Sequence, residues 1–135
     1  DEMKDEDFLD LNMNMDEETP SYHFKGQNKF SILNDSDIKI DPVEQRHDLK
    51  ITIKHNGGKF TVKNTTTNTS WTYNQNLSGN DTLLLKGRRT FKNNNPDSAN
   101  TDYGYITLAP GKNNFEVTGA DDLEITFSFP FMYLG

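Results

Sequence analysis

The sequence predicts an all-β protein, a β-sandwich of two antiparallel sheets. Three observations carry that expectation. Apolar residues recur at every second position in many short runs, the pattern of a strand with one buried face. Gly, Asn, Thr and Pro punctuate those runs at close spacing, as turns of a sandwich require. No window carries the i, i+3, i+4, i+7 repeat of an amphipathic helix.

A chain of 135 residues holds one domain with a real core and is too short for two ordinary ones. Hydrophobic content is low at 32%, so nine Phe supply much of the material for a core. With no Cys, neither disulfides nor thiolate metal ligands are open to it. No apolar run approaches membrane-spanning length, and none resembles the core of a signal peptide. The net charge of −7 is unevenly spread: residues 1–18 carry nine carboxylates against Lys4, a balance of −8, which leaves the rest near +1. A like-charged stretch so poor in apolar residues cannot offset its chain entropy by burial. We therefore divide the chain into an acidic extended or disordered arm, or linker, at 1–19 and a sandwich domain at 20–135. Within the arm, Leu11, Met13 and Met15 alternate and could lie on a partner.

After Pro20 the first body strand is expected at Tyr22 to Lys25. Phe30 and Ile32, then Ile38 and Ile40, form an alternating pair around Asn34-Asp35-Ser36, closed by Asp41-Pro42. Asp48 to His55 is a clear strand with Leu49, Ile51 and Ile53 inward. Asn56-Gly57-Gly58 is the strongest hairpin signal of the chain, because Asn-Gly favours a type I′ turn. Phe60 and Val62 follow on the return strand, and Thr65 to Ser70 is a turn. Trp71 and Tyr73 alternate on the next strand. Leu83-Leu84-Leu85 reads as a buried run, Gly87 as a tight bend before Arg88 to Lys92, and Asn93 to Asp97 as a loop. Tyr103 to Leu108 is expected as a further strand.

The chain closes on Leu108-Ala109-Pro110-Gly111-Lys112-Asn113-Asn114-Phe115-Glu116-Val117-Thr118-Gly119 and a strand from Leu123 to Phe131. Pro presets φ for one turn position and Gly accepts the positive φ of the next. Leu123, Ile125, Phe127, Phe129 and Phe131 share one face, and a face so apolar needs a second sheet to cover it. In all, nine to eleven short strands are expected, with a core of Leu49, Ile51, Ile53, Phe60, Val62, Phe115, Val117, Ile125, Phe127 and Phe129.

The spacing Leu108, Pro110, Gly111, Asn113, Phe115, Val117, Gly119, followed by Phe131, Tyr133 and Leu134, resembles the C-terminal domain of siphophage distal tail proteins. The order of the earlier segments strengthens the resemblance: Phe30-Ser31-Ile32, Ile38-Lys39-Ile40-Asp41-Pro42, Leu49 to Ile53, Asn64-Thr65-Thr66 and Gly79 to Leu83. It covers most of residues 20–135. It implies a jelly-roll sandwich similar to galectins and carbohydrate-binding modules, in a structural protein of the phage tail tip or baseplate. The location implied is the virion, after synthesis in the bacterial host cytoplasm. The family's ring-forming N-terminal domain has no counterpart in this sequence. We therefore expect a fragment that is monomeric alone, belonging to a full-length protein that forms a ring-shaped homo-oligomer.

Little in the residues points to reaction chemistry, and we expect no enzyme and no cofactor. His23, His47 and His55 are scattered without ligand spacing. Asp121-Asp122-Leu123-Glu124 could lend oxygens to calcium but lacks an EF-hand loop and reads as a solvated turn. Nucleophile-elbow, P-loop and dinucleotide patterns do not occur. The candidate contact residues, for a protein or a glycan, are Trp71, Tyr73, Arg88, Arg89, Tyr103 and Tyr105. Aromatic rows can stack sugar rings, although sandwich interiors also take large aromatics, and Trp71 has that second reading. Lys86, Arg88, Arg89 and Lys92 make a basic turn suited to an acidic partner surface or simply to solvent. The expected partners are other tail or baseplate proteins. The alternative is a carbohydrate-binding module for host cell-wall glycan. Nucleic acid is not expected, since the body is near neutral and the arm would repel phosphates; neither is a membrane.

Overall fold

The structure, a computed structural model, describes residues 21–45 and 47–130. The acidic arm with Leu11, Met13 and Met15, and the ending with Phe131, Tyr133 and Leu134, lie outside the described residues. The described part is built from ten strands: β1 Ser21–Lys25, β2 Lys29–Asn34, β3 Lys50–Lys54, β4 Phe60–Asn64, β5 Thr69–Tyr73, β6 Leu83–Lys86, β7 Arg89–Lys92, β8 Asn95–Pro96, β9 Gly111–Thr118 and β10 Glu124–Ser128. Its helical element is one 3-10 turn, Ser98–Asn100. Six strands form one sheet in the order β1-β10-β3-β6-β7-β8, and four form the other in the order β2-β9-β4-β5. Every strand pairing is antiparallel. The fold is an all-β sandwich.

The inward rows follow from the alternation. In the larger sheet Ile125, Ile53 and Leu83 stand side by side, as do Phe127, Ile51 and Leu85. In the smaller sheet Phe30 pairs with Phe115, and Val62 lies between Val117 and Trp71. The sheets meet ring on ring: Phe127 is 4.9 Å from Phe115 and 5.9 Å from Phe30, centroid to centroid. All ten expected core residues are buried, each contributing roughly 1.5–3 kcal/mol by leaving water. Leu84, expected within a buried run, instead points outward opposite Phe91, because its neighbours Leu83 and Leu85 take the inward positions.

The connections correct the sequence reading. Asn56-Gly57-Gly58 is no hairpin. β3 already has β10 and β6 on its two edges, so β4 joins the opposite sheet and the segment crosses between layers. Asn56 lacks the positive φ of a type I′ turn, and Gly57 exchanges backbone hydrogen bonds with Leu77 at 3.0 and 2.7 Å. Tyr103 to Leu108 forms no strand and makes a single bridge, Leu108 to Ile40. Ile38 is half-buried and outside any strand.

Three asparagines, Asn34, Asn64 and Asn113, are wholly buried. Each continues an inward row where the next apolar residue would stand, after Phe30 and Ile32, after Phe60 and Val62, and before Phe115 and Val117. Asn34 donates to the carbonyls of Ile38, Leu108 and Ala109. Asn64 donates to the Thr107 carbonyl at 2.8 Å. Asn113 accepts from the Ala109 N–H at 2.8 Å and donates to the carbonyls of Ala109 and Gly111. A segment with few ladder partners must satisfy its remaining polar groups elsewhere. These amides do that for residues 107–111, and they explain why Asn follows Pro-Gly at that spacing.

Candidate binding surface

The structure separates the six candidate contact residues. Trp71 and Tyr73 face inward on β5, 1% and 0% exposed, so neither offers a ring to a sugar or a partner. The indole N–H donates to Thr90 Oγ1 of the opposite sheet at 3.1 Å. The Tyr73 hydroxyl donates to Asp97 Oδ2 at 2.5 Å. Burial first, and then that carboxylate, push the Tyr73 pKa upward. Tyr73 is corrected from contact to core, and Trp71 takes its interior reading and leaves the contact set, as alternation with Phe60 opposite Tyr73 and Val62 opposite Trp71 requires.

Arg88, Arg89, Tyr103 and Tyr105 remain at the surface. Arg88 stands in the β6–β7 turn with its guanidinium 5.4 Å from the centre of the Tyr105 ring, a cation–π contact that orders both side chains. Arg89 lies 5.2 Å over Phe91, a separate pair on the outer face of the larger sheet. Tyr103 is 58% exposed, and with Leu33 it is one of two exposed large apolar side chains among the described residues.

The segment that presents Tyr103 is firmly built. It runs along the edge of β5, where Asn74 N–H donates to the Asn100 carbonyl and Asp102 N–H to the Thr72 carbonyl. Asp102 Oδ1 accepts from the N–H groups of both Thr72 and Gly104. Gly104 passes so close to β5 that a Cβ there would sit 2.2 Å from the Ser70 carbonyl oxygen. Thr101 Oγ1 donates to the Ser98 carbonyl and accepts from the Tyr103 N–H. Between these anchors Tyr103 adopts φ +60°, a region that bulky residues avoid. The clamp covers an edge strand and turns an aromatic ring to solvent. Sequence reading placed Tyr103 and Tyr105 on one strand face. The structure gives no such strand, and the exposure of Tyr103 comes instead from Asp-Tyr-Gly turn chemistry, a signal that Asp102 and Gly104 carried.

The histidines occupy three separate settings. His23 Nε2 is 2.7 Å from Glu124, and His47 Nδ1 accepts from the Asp41 N–H. The buried His55 ring lies between Asp122 Oδ1, 2.5 Å from Nδ1, and the Gly58 carbonyl, 3.2 Å from Nε2. Asp122, read as part of a solvated turn, thus ties the β9–β10 connection to the crossover after β3. Among the described residues no group of three or more His, Asp or Glu could hold a metal ion, and no helix is long and apolar enough to cross a membrane. An exposed ring at Tyr103, and a guanidinium over the Tyr105 ring, suit flat apolar or carboxylate-bearing groups of a partner. No protein-family model and no curated protein matches the chain.

Proposed function

We propose that this chain is the C-terminal sandwich domain of a siphophage distal tail protein, a structural part of the tail tip or baseplate in the virion. Its work is to dock neighbouring tail or receptor-binding proteins, without catalysis. The observation that carries the binding role is Tyr103, exposed and held at φ +60°, two residues before the Tyr105 ring that the Arg88 guanidinium faces. Aromatic and Arg side chains are the types enriched where proteins meet. The tail-protein assignment draws on the order of motifs, and the buried clamp made by Asn113 gives its cassette a physical basis. A galectin-like jelly roll is the finer form of the fold proposed here. Its support is that β1, β2, β3 and β4 alternate between the two sheets.

The competing reading, binding of cell-wall glycan, keeps among the described residues the exposed ring of Tyr103 and the half-buried one of Tyr105, now that Trp71 and Tyr73 are interior. The test is to titrate the chain against proteins encoded beside its own gene and, in parallel, against cell-wall oligosaccharides. Saturable binding of a flanking-gene protein is the expected result. Binding of oligosaccharide alone would replace the docking reading with the glycan one.

A further inference from the structure

Lys50, Lys86 and Arg89 stand directly opposite one another on β3, β6 and β7, exposed on the outer face of the larger sheet. Like charges in register oppose folding, yet no ion pair joins any of the three to a carboxylate among the described residues. They line a cleft of about 220 Å³ together with Pro42, His47 and one acid, Asp48. The same cross-strand row continues through Ser128 to Ser21, the residue at which the acidic segment joins the sheet. That segment has a balance of −8. From β1 to Arg89 is four strand spacings, roughly 19 Å, and the twenty residues before Ser21 span roughly 70 Å if extended. Asp16, Glu17 and Glu18 stand closest in sequence to the row.

We propose that the Lys50–Lys86–Arg89 row is the docking site for the acidic segment 1–18 of the same chain. The segment supplies the carboxylates that the row lacks, and the row relieves repulsion within the segment. The attraction is between exposed charges and weakens with salt.

Paramagnetic relaxation in the whole chain tests this. The sequence has no Cys, so Asn14→Cys takes a single spin label, and amide signals report which residues lie near it. Expected is a loss of signal intensity at Lys50, Lys86 and Arg89 in about 0.1 M salt, recovered in about 1 M salt, where the screening length is about 3 Å. Lys50→Glu with Lys86→Glu should restore the signals while leaving the spectrum folded; Lys25→Glu with Lys54→Glu, toward the far end of the strands, should not. No loss, a loss elsewhere, or a loss untouched by salt overturns the proposal. So does a loss seen only when labelled and isotope-enriched chains are mixed, which would assign the row to a second copy.

Discussion

Asn64 donates from Nδ2 to Asn113 Oδ1 across 3.1 Å, and both side chains are wholly buried. That one bond joins the β4–β5 hairpin to the Pro110-Gly111 turn. Asn64 Oδ1 meanwhile accepts from the Thr66 N–H, shaping its own turn. Buried amides are costly unless satisfied, and here each one answers backbone groups that no ladder reaches.

Asn113→Ala should therefore destabilise far more than its size suggests. The Ala109 N–H and the Asn64 amide lose their acceptor together, a cost on the order of 3 kcal/mol. Urea unfolding measures it. A loss below about 1 kcal/mol would mean that water replaces the side chain without difficulty.

The interior alternation was legible because period-2 patterning is local: Leu49, Ile51 and Ile53, or Ile125, Phe127 and Phe129, can face only one way once a core exists. Partnership was not legible. Asn56-Gly57-Gly58 has hairpin chemistry, but whether β4 folds back on β3 depends on β6 and β10, distant in sequence. The asparagines were readable in principle, since Asn34, Asn64 and Asn113 each hold the inward register of their strands. Polarity drew them into turns instead. At the surface, Arg88 and Tyr105 meet through tertiary packing that neither local pattern encodes.

Phe127 is wholly buried against the stacked pair Phe30 and Phe115. Phe127→Ala should cost about 3–5 kcal/mol through lost transfer energy and the cavity left behind. Denaturant midpoints with an unchanged slope would report it. A change near zero would contradict the facing of β10.

Acid should weaken the fold through three carboxylates. Asp122 is held below the ordinary Asp range mainly by its hydrogen bond with His55, with the Asn56 N–H adding to it. Asp81, through the Ser78 backbone, and Glu124, through His23, are shifted in the same sense. A lowered folded-state pKa stabilises above the unfolded value of about 3.9 for Asp, and that stability disappears as pH falls through the folded value. Asp122→Asn should make the acid limb of a melting-temperature profile shallower while Asp81 and Glu124 keep part of it. An identical limb would show that the His55 contact carries no proton linkage.

Trp71, 1% exposed, should report nothing to sugars. Cell-wall oligosaccharides are expected to leave its fluorescence unchanged, and Trp71→Ala to lower stability by about 3–5 kcal/mol. Saturable quenching in the folded protein would contradict its interior placement.

The central claim of the proposed function is that Tyr103 and the Arg88–Tyr105 pair dock a tail protein. The most direct measurement is the affinity of a flanking-gene protein for the parent chain and for Tyr103→Ala with Arg88→Ala, both verified as folded. If this patch is the anchor, the double variant should lose at least about 2 kcal/mol, roughly thirtyfold in Kd. Equal affinity for both chains would contradict the account and place the docking surface elsewhere on the sandwich.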